Sequence, residues 1–474
     1  MTDTGSSTAT FASANVRISR VLAAGFGATT LMWLFSYLAI LVQNAVVGDV
    51  LFGLAVLSLL LGGVVAGRTD VGLGESRPAR GKVIIVFFSV RGMMVGLVSA
   101  VLNLLIVASL LKSELAGGSG WIIGILVGCV VVGGVGGAIG WALPSWRTNG
   151  NWTTIFCWVV VGLTFFMIVT GGIVTGFEAG LAVPDWPNSY GHNMLLYPLS
   201  EMVADPGSGV FYEHAHRLTG MFVGLAALTL CGMLWIGDGR MWIGFLGIIV
   251  LILVIVQGVL GGLRVTGNLT MSQEAADLSP STVLAVAHGV LAQVLLAIMS
   301  LAAAATSSRW RRGDLPMGEG RVSVDRQLAI ALVVFLLIQL VLGAAYRHMI
   351  TEFGPKAPGA SHALMGHIAM AVVVAIAGVF VGLRGCSMNG RDPVFKWLGW
   401  ILLVAIGLQI LLGFGGLAAV MMRPELGTTA DVPVWEVLVT SAHQANGALM
   451  LMVSVLMLSW YWRASPDQDA ATNQ

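Results

Sequence analysis

Twelve apolar runs, each of about 20 residues, are the feature that most limits what this sequence can fold into. A helical run of this length crosses the hydrocarbon core of a bilayer once. Only 10% of the 474 residues are charged, whereas soluble domains have a charged fraction of about 25%. Because helices satisfy their own backbone hydrogen bonds in lipid, the runs predict an all-α polytopic membrane protein with about 12 transmembrane helices. The runs are 21–46, 50–67, 83–111, 121–143, 152–176, 214–236, 241–263, 283–306, 327–348, 363–383, 397–420 and 441–462.

Basic residues predict how the chain is oriented. Most of the 24 lysines and arginines fall in alternate loops that begin with the N-terminus, whereas acids such as Asp185 and Glu201 fall in the other loops. Short loops rich in Lys and Arg stay on the cytoplasmic side, so both termini are predicted to be cytoplasmic. We expect a multi-pass protein of the cell inner (cytoplasmic) membrane. The net charge of +1 gives no indication of nucleic-acid binding.

Four of the eight histidines recur at one position in the helix pattern. Each lies within the first turns of every second helix of the last eight, at the predicted outer face. The preceding helices end in TGGIVTG, QGVLGG, QLVLGA and QILLGF. This recurrence predicts two pseudo-repeated four-helix bundles, 152–306 and 327–462. Residues 1–151 would precede them with about four more helices, and 463–474 would form a cytoplasmic tail. The histidines are His216, His288, His367 and His443.

This pairing of histidines predicts heme binding. Neutral imidazole binds heme iron, and two imidazoles from facing helices at one depth form a bis-histidine site inside a bundle. Glycines on the opposite helices would let a flat macrocycle approach, although close helix packing explains them equally well. His362 lies on another side of its helix, so His367 is the preferred ligand. His192 and His348 are expected at the membrane interface.

Arginines at the same helix ends are candidates to bind the heme propionates. A guanidinium group can hold a carboxylate through two parallel hydrogen bonds. Basic side chains at helix ends also extend to the membrane interface without any ligand, and this alternative stays open. The candidates are Arg217, Arg264, Arg347 and Arg423.

The stretch FYEHAHRLTG adds a carboxylate to one of the histidines. On a helix, Glu213, His216 and Arg217 share a face, whereas His214 points elsewhere. A carboxylate beside a bound heme could accept a proton or stabilise developing positive charge. Alternatively, it could serve only as a favourable charge at a helix N-terminus.

These motifs together resemble the heme A synthase family. The likeness covers roughly 152–462 and is carried by EHAHR, AHGVLAQ, QGVLGG with RVTG, QLVLGAAYRHM, SAHQANGALML and GLAVPDWPNSYG. The resemblance implies a membrane oxidoreductase that converts the C8 methyl of heme O to the formyl of heme A in two steps, for cytochrome oxidase. It implies that Glu213 is catalytic and that His216 and His288 bind the catalytic heme. His367 and His443 would then bind heme b.

The resemblance also suggests partners, and the chain departs from it in two places. Heme O would be the substrate, heme A the product and iron the bound metal. The candidate partners are heme O synthase, an electron acceptor, the lipid bilayer and a second copy of the chain.

Many relatives carry a cysteine pair in an outer loop, but this chain has none between Phe177 and Glu213. The resemblance does not cover 1–151, which we expect to be dispensable for the chemistry because every candidate site residue lies after Asn151.

Two other functions remain open. A bis-histidine b-type cytochrome would also need four histidines in a bundle, but it would stack its hemes across the membrane rather than near one face. A duplicated membrane transporter would show the same internal repeat without a histidine in every hairpin. The absorption spectrum and the extracted hemes of the purified chain would separate the three functions.

Overall fold

The computed structural model describes 4–42, 44–68, 82–106, 118–144, 151–204, 208–267, 281–313, 315–316, 322–353, 357–387, 392–422 and 432–464. Eleven of the helices in these ranges are long and apolar enough to cross a membrane. The prediction of an all-α polytopic membrane protein is therefore confirmed. The remaining predicted run, 83–111, contains a helix at Lys82–Ile106 whose apolar stretch is Ser89–Leu105.

The helices are numbered in chain order. Those of the N-terminal region are α1 (Thr4–Val42), α2 (Ala45–Gly67), α3 (Lys82–Ile106) and α4 (Gly118–Ala142). A second group contains α5 (Trp152–Gly176), the short α6 (Leu199–Ala204), α7 (Val210–Gly237), α8 (Met241–Val265), α9 (Thr282–Thr306) and the short α10 (Ser308–Arg312). The last group contains α11 (Val322–Phe353), α12 (Pro358–Ser387), α13 (Pro393–Met421) and α14 (Val434–Arg463). Several start before their predicted apolar runs, α1 by the most, because helical hydrogen bonding continues into polar flanks.

Polar side chains fix where two of the long helices begin. The Asn151 side-chain oxygen accepts the N–H of Thr153 at 3.0 Å, and its amide group donates to the Thr306 carbonyl of α9 at 3.1 Å. Asp392 accepts the N–H two residues on at 2.8 Å, and its other oxygen pairs with Arg309 at 2.6 Å. Such a cap stabilises a helix by about 1 kcal/mol. These caps also tie together the ends of neighbouring helices.

The helices from α5 onward form two closed rings that share a central wall. In the first ring α5, α7, α8 and α9 each pack against the next, and in the second ring α11 to α14 do the same. The wall includes the packing of α9 on α11 and α14 and that of α5 on α14. In the latter, Gly172 lies against Ser441 and Gln444, and a Cβ on this glycine would be 3.3 Å from each. In the apolar stretch of these two helices, α5 and α14, 61% and 72% of the residues are buried, against 39% or less in the other spans. They are therefore the central helices.

Helix α1 is part of the core of the first ring, although it precedes that ring in sequence. The Phe26 ring packs edge-on against Phe156 at 5.2 Å and stacks on Phe222 at 5.9 Å, between ring centroids. Further along α1, the Trp33 indole N–H donates to the Thr219 hydroxyl of α7 at 2.9 Å. Both α5 and α7 are thus held partly by α1.

We expect a chain that begins near Asn149 to keep every candidate site residue but to unfold at a lower temperature. Truncation removes Phe26 and leaves its partners Phe156 and Phe222 exposed. Removing a buried phenylalanine side chain costs about 3–5 kcal/mol in soluble cores. Thermal unfolding in detergent measures the difference, and the single change Phe26→Ala should reproduce part of it. An unchanged unfolding temperature in both proteins would show that α1 does not support the ring.

Candidate functional site

Each of the four predicted histidines lies against a glycine of the preceding long helix. A Cβ on these glycines would come within 2.8–3.3 Å of the imidazole Cε1, a separation at which carbon atoms repel each other. The glycines therefore make room for the imidazole itself, whereas the sequence suggested room for the macrocycle. The pairs are Gly171 with His216, Gly261 with His288, Gly343 with His367, and Gly413 with His443.

In the second ring, the two histidines face each other across the bundle. The ring centroids of His367 and His443 are 6.2 Å apart, with their planes at 67°. Imidazoles that bind one iron from opposite sides have centroids roughly 6 Å apart, because metal–nitrogen distances are about 2.0–2.1 Å. His362 is exposed on the same helix. The structure therefore brings His367, rather than His362, against His443.

Hydrogen bonds define which nitrogen of these two rings is available. The Nδ1 of His367 lies 3.2 Å from the Gln339 carbonyl, which can only accept, so Nδ1 carries the proton. Its Nε2 lies 3.3 Å from the Gln339 amide nitrogen. The Nε2 of His443 lies 3.2 Å from the amide nitrogen of Gln409. The Oε1 of the same glutamine accepts from the Asn446 amide at 2.6 Å. Both imidazoles thus have their lone pair on Nε2, where it accepts a hydrogen bond from a glutamine amide.

In the first ring, the two histidines have different surroundings. The Nδ1 of His216 lies 3.0 Å from the Thr170 hydroxyl. Gln257 donates to the main-chain carbonyl of His288 at 2.6 Å and so contacts the helix rather than the imidazole. The buried Nδ1 of His288 has no hydrogen-bond partner among the described residues. Both imidazoles are half-buried, like those of the second ring.

Glu213 is a buried carboxylate, only 4% exposed, and it lies in the first turn of α7, where a negative charge also stabilises the helix N-terminus. The N-cap of α7 is Gly209, which has no side chain to form a capping hydrogen bond. The Glu213 carboxylate accepts the N–H of Val183 at 2.8 Å and pairs with Arg217 at 2.6 Å, as their i, i+4 spacing predicts. A buried charge needs a partner of this kind. Arg217 therefore offsets part of the cost of burying the Glu213 charge.

Arg217 also anchors the segment between α5 and α7. It donates to the carbonyls of Val183 at 2.7 Å, Asp185 at 2.7 Å and Asn188 at 3.0 Å. Together with the bond to Glu213, these contacts use four of the five guanidinium N–H groups. Only Nε remains for a further acceptor such as a heme propionate.

The anchored segment folds into a small hairpin, β1 (Asn188–Ser189) with β2 (His192–Asn193). Its turn is Tyr190–Gly191, both with positive φ, and the Asp185 carboxylate accepts their N–H groups at 2.7 and 2.8 Å. Burial by itself raises the pKa of Asp185, but these hydrogen bonds and the nearby Arg217 charge outweigh it and lower that pKa. The carboxylate therefore keeps both hydrogen bonds at neutral pH.

The hairpin segment covers the histidine end of the first ring. The Trp186 indole lies on Gly262 of α8 so closely that a Cβ there would overlap the ring. His214 points to this segment, with its Nδ1 3.2 Å from the Ser189 hydroxyl. His192 lies within the hairpin, with its ring 6.1 Å from that of Tyr197. The segment thus forms a lid held from both α7 and α8.

The other candidate arginines lie near the same end, with different contacts. Arg264 lies against the lid, where a Cβ on Gly180 would be 3.0 Å from its Nη1. Arg347 donates to the carbonyls of Thr175 at 2.8 Å and Gly176 at 3.3 Å, at the end of α5. A cation at this position stabilises the helix C-terminus. The fourth candidate, Arg423, lies outside the described residues.

The donor set suits a heme better than a bare ion. In the described ranges, no three His, Cys, Asp or Glu side chains converge as a metal cage would require. A heme needs only two axial protein ligands, because the macrocycle supplies the other nitrogens. Buried atoms beside the histidines also have no hydrogen-bond partner among the described residues, as a site completed by a ligand would show. They are His288 Nδ1, His443 Nδ1, Gln257 Oε1 and Gln339 Oε1.

Several residues of this arrangement are absent from the sequence prediction. Thr170 directly precedes Gly171 in TGG, so its position next to a histidine-facing glycine was a usable signal. Asn446 follows His443 by about one helical turn in HQAN, so its position beside this histidine was also a usable signal. In the structure it donates to Gln409, the glutamine that contacts His443. No sequence signal predicted that Trp186 would pack on Gly262, because this contact depends on how the lid folds.

The fold and the site define a polytopic membrane protein with two pairs of intramembrane histidines. A sequence model of the family described as cytochrome oxidase assembly protein matches residues 154–455. The match covers more than half of the chain, so the chain belongs to this family, the heme A synthase family. This membership places the chain in cytochrome oxidase assembly and, broadly, in heme A synthesis. A search among curated proteins found no match. Helices α1 to α4 lie outside the matched region.

Proposed function

We propose that this protein is a heme A synthase, an oxidoreductase that converts the C8 methyl of heme O to the formyl of heme A. The observation that carries the proposal is the buried, ion-paired Glu213, three residues before His216. The other three histidines have no carboxylate at this position, which is occupied by Ala285, Leu364 and Thr440. A heme carrier needs only ligands, whereas an oxidising site needs a group that handles charge or protons.

The two rings would have different tasks. In the first unit, 152–306, His216 and His288 would bind the heme O that is oxidised. In the second unit, 327–462, His367 and His443 would bind a resident heme b, which supplies a one-electron redox centre when bound. The 6.2 Å between these two rings supports the second assignment. Residues 1–151 would support the first unit, and 463–474 would be a cytoplasmic tail.

The proposed chemistry raises the oxidation state of the methyl carbon twice. With water as the oxygen source, each round adds one water oxygen to the carbon and removes two protons and two electrons, and an external acceptor takes the electrons. The first round then gives an alcohol, and the second gives a gem-diol that loses water to become the formyl group. Glu213 would accept a proton or stabilise positive charge beside the methyl, in an interior where such interactions are stronger than in water. Its two oxygens are fixed by Val183 and Arg217, so the carboxylate is already oriented before the substrate binds.

The propionates of the two hemes would meet the arginines at the histidine end. Arg264 and Arg347 lie at that end of the helices, and Arg217 keeps one N–H group available. Arg423 completes the proposed set. A guanidinium binds a carboxylate more strongly than a neutral donor does.

We place the protein in the cell inner membrane with its histidine end on the outer side. The basic loops at the opposite end support this orientation, with both termini cytoplasmic. Heme O is apolar enough to arrive through the bilayer, and heme O synthase is the candidate donor. The electrons removed from the methyl group require an acceptor at the outer side.

Purification of the full chain from cells that supply heme O tests the proposal. We expect a coloured protein whose extract contains heme b together with heme O or heme A, measured by absorption spectroscopy and chromatography. Added heme O should be converted to heme A. Heme b alone, without conversion, would indicate the b-type electron carrier instead. A colourless protein would favour a transporter.

A further inference from the structure

The residue one turn before each histidine-facing glycine follows a pattern with one exception. In α8, α11 and α13, the residue four positions before the glycine is a glutamine: Gln257, Gln339 and Gln409. In α5, the corresponding position before Gly171 is Met167. A methionine thioether cannot donate a hydrogen bond, so His216 has no amide of the kind found in the other three hairpins.

Thr170 takes the place of that amide, but it contacts the other side of the imidazole. Its hydroxyl donates to the Met167 carbonyl at 2.9 Å and lies 3.0 Å from the Nδ1 of His216. A hydroxyl has a single proton, and here that proton is used on the carbonyl. The Thr170 oxygen therefore accepts from Nδ1–H, which leaves the lone pair of His216 on Nε2.

The free Nε2 distinguishes His216 from the histidines of the second ring. Among the described residues, no side chain bonds to His216 Nε2, whereas glutamine amides meet the Nε2 atoms of His367 and His443. An iron that binds His367 or His443 has to displace an amide first. An iron that binds His216 does not. This difference suits a site that must empty and refill in every turnover.

We propose that Thr170 is a positioning residue that keeps His216 ready to bind the iron of heme O each time the site empties. The inference rests on the proposed function of the first ring. An acceptor on the non-ligating nitrogen fixes the tautomer and the ring orientation and makes the imidazole a stronger ligand. Thr170 is fully buried, so water does not compete for the bond.

The test compares Thr170→Val with Thr164→Val in the full-length chain. Valine keeps the shape of threonine and removes the hydroxyl. Thr164 is a buried threonine of the same helix whose hydroxyl contacts the Met299 sulfur at 3.1 Å, away from every candidate ligand. Heme O is titrated into each protein in detergent, followed by absorption and by the electron paramagnetic resonance signal of the low-spin iron.

We expect Thr170→Val to bind heme O roughly 10–100-fold more weakly, as losses of such hydrogen bonds behind metal ligands typically do. Its low-spin signal should shift, while heme b in the second ring stays at the wild-type level and reports correct folding. Thr170→Ser should restore both properties, and Thr164→Val should match the wild type. If Thr170→Val does not fold, Thr170→Ala removes the same hydroxyl and is read in the same way.

Equal affinity and an unchanged signal in Thr170→Val would overturn the inference, as would an equal loss in Thr164→Val. Failure of the proposed function would look different. In that case, the wild-type protein itself would not bind heme O or would not convert it. A wild-type protein that converts heme O, with Thr170→Val indistinguishable from it, would remove only the role of Thr170.

Discussion

Glu213→Gln should strongly slow the conversion of heme O while leaving heme bound to the protein. If the carboxylate stabilises charge that develops at the heme periphery, its loss should slow the reaction by about 10²–10³, as for single electrostatic groups in other active sites. The histidine ligands are unchanged in this variant. Cells that supply heme O should therefore accumulate heme O or its hydroxylated form on the purified protein. Chromatography of the extracted heme measures the outcome.

The burial of Glu213 requires a control for stability. Its partner Arg217 is also largely buried, at 9% side-chain exposure, and removing one member of a buried pair can cost about 3–5 kcal/mol. Asp325→Asn is a matched control, because Asp325 is buried and pairs with Arg384 at 2.6 Å at the opposite end of the bundle. It should lower stability similarly and still make heme A. A normal heme A yield from Glu213→Gln would remove the catalytic role, and heme-free protein would make Glu213 structural.

His367→Ala and His443→Ala should each remove most of the heme b from the purified protein. The two rings face each other at 6.2 Å, so each variant loses one of two axial ligands to the same iron. Absorption at the heme bands, normalised to protein, measures the loss. We expect heme O still to bind in the first ring of both variants, because His216 and His288 are untouched.

His362→Ala is the matched control for this experiment. His362 lies on the same helix, five residues before His367, but it is exposed. Its replacement should leave heme b unchanged. Full heme b in both the His367→Ala and His443→Ala proteins would remove the assignment of this pair. Loss of heme b only in His362→Ala would transfer the ligand role to that residue.

The sequence predicted the parts of this structure that depend on periodicity. Apolar runs predicted the spans, and the repeated spacing of histidines and glycines predicted which helices would face each other. The spacing placed Gly343 opposite His367 and Gly413 opposite His443, but it assigned the space at these glycines to the macrocycle, whereas the imidazoles themselves fill it. Hairpins of similar length bring similar positions to the same depth, so register could be inferred without coordinates.

Contacts made by flexible polar groups were not predictable in the same way. Arg217 at a helix end can reach a propionate or loop carbonyls, and only the fold of 182–189 shows that carbonyls take most of its N–H groups. Glu213 directly precedes the predicted run 214–236, and no sequence pattern indicated that the lid would cover it and leave it 4% exposed. The packing of Phe26 against Phe156 joins segments far apart in sequence, and no local pattern encodes it.

Two consecutive glycines of α5 lie next to the two proposed heme sites. Gly171 contacts His216 on one side of the helix, and Gly172 contacts Ser441 and Gln444, which flank His443, on the other. The two proposed sites are therefore separated by α5 and α14, which approach each other closely because the α5 residue at this contact is a glycine. An electron removed from a substrate in the first ring would cross these two helices to reach the second ring. A larger residue at Gly172 would push α5 and α14 apart and lengthen the tunnelling path even if both hemes remained bound.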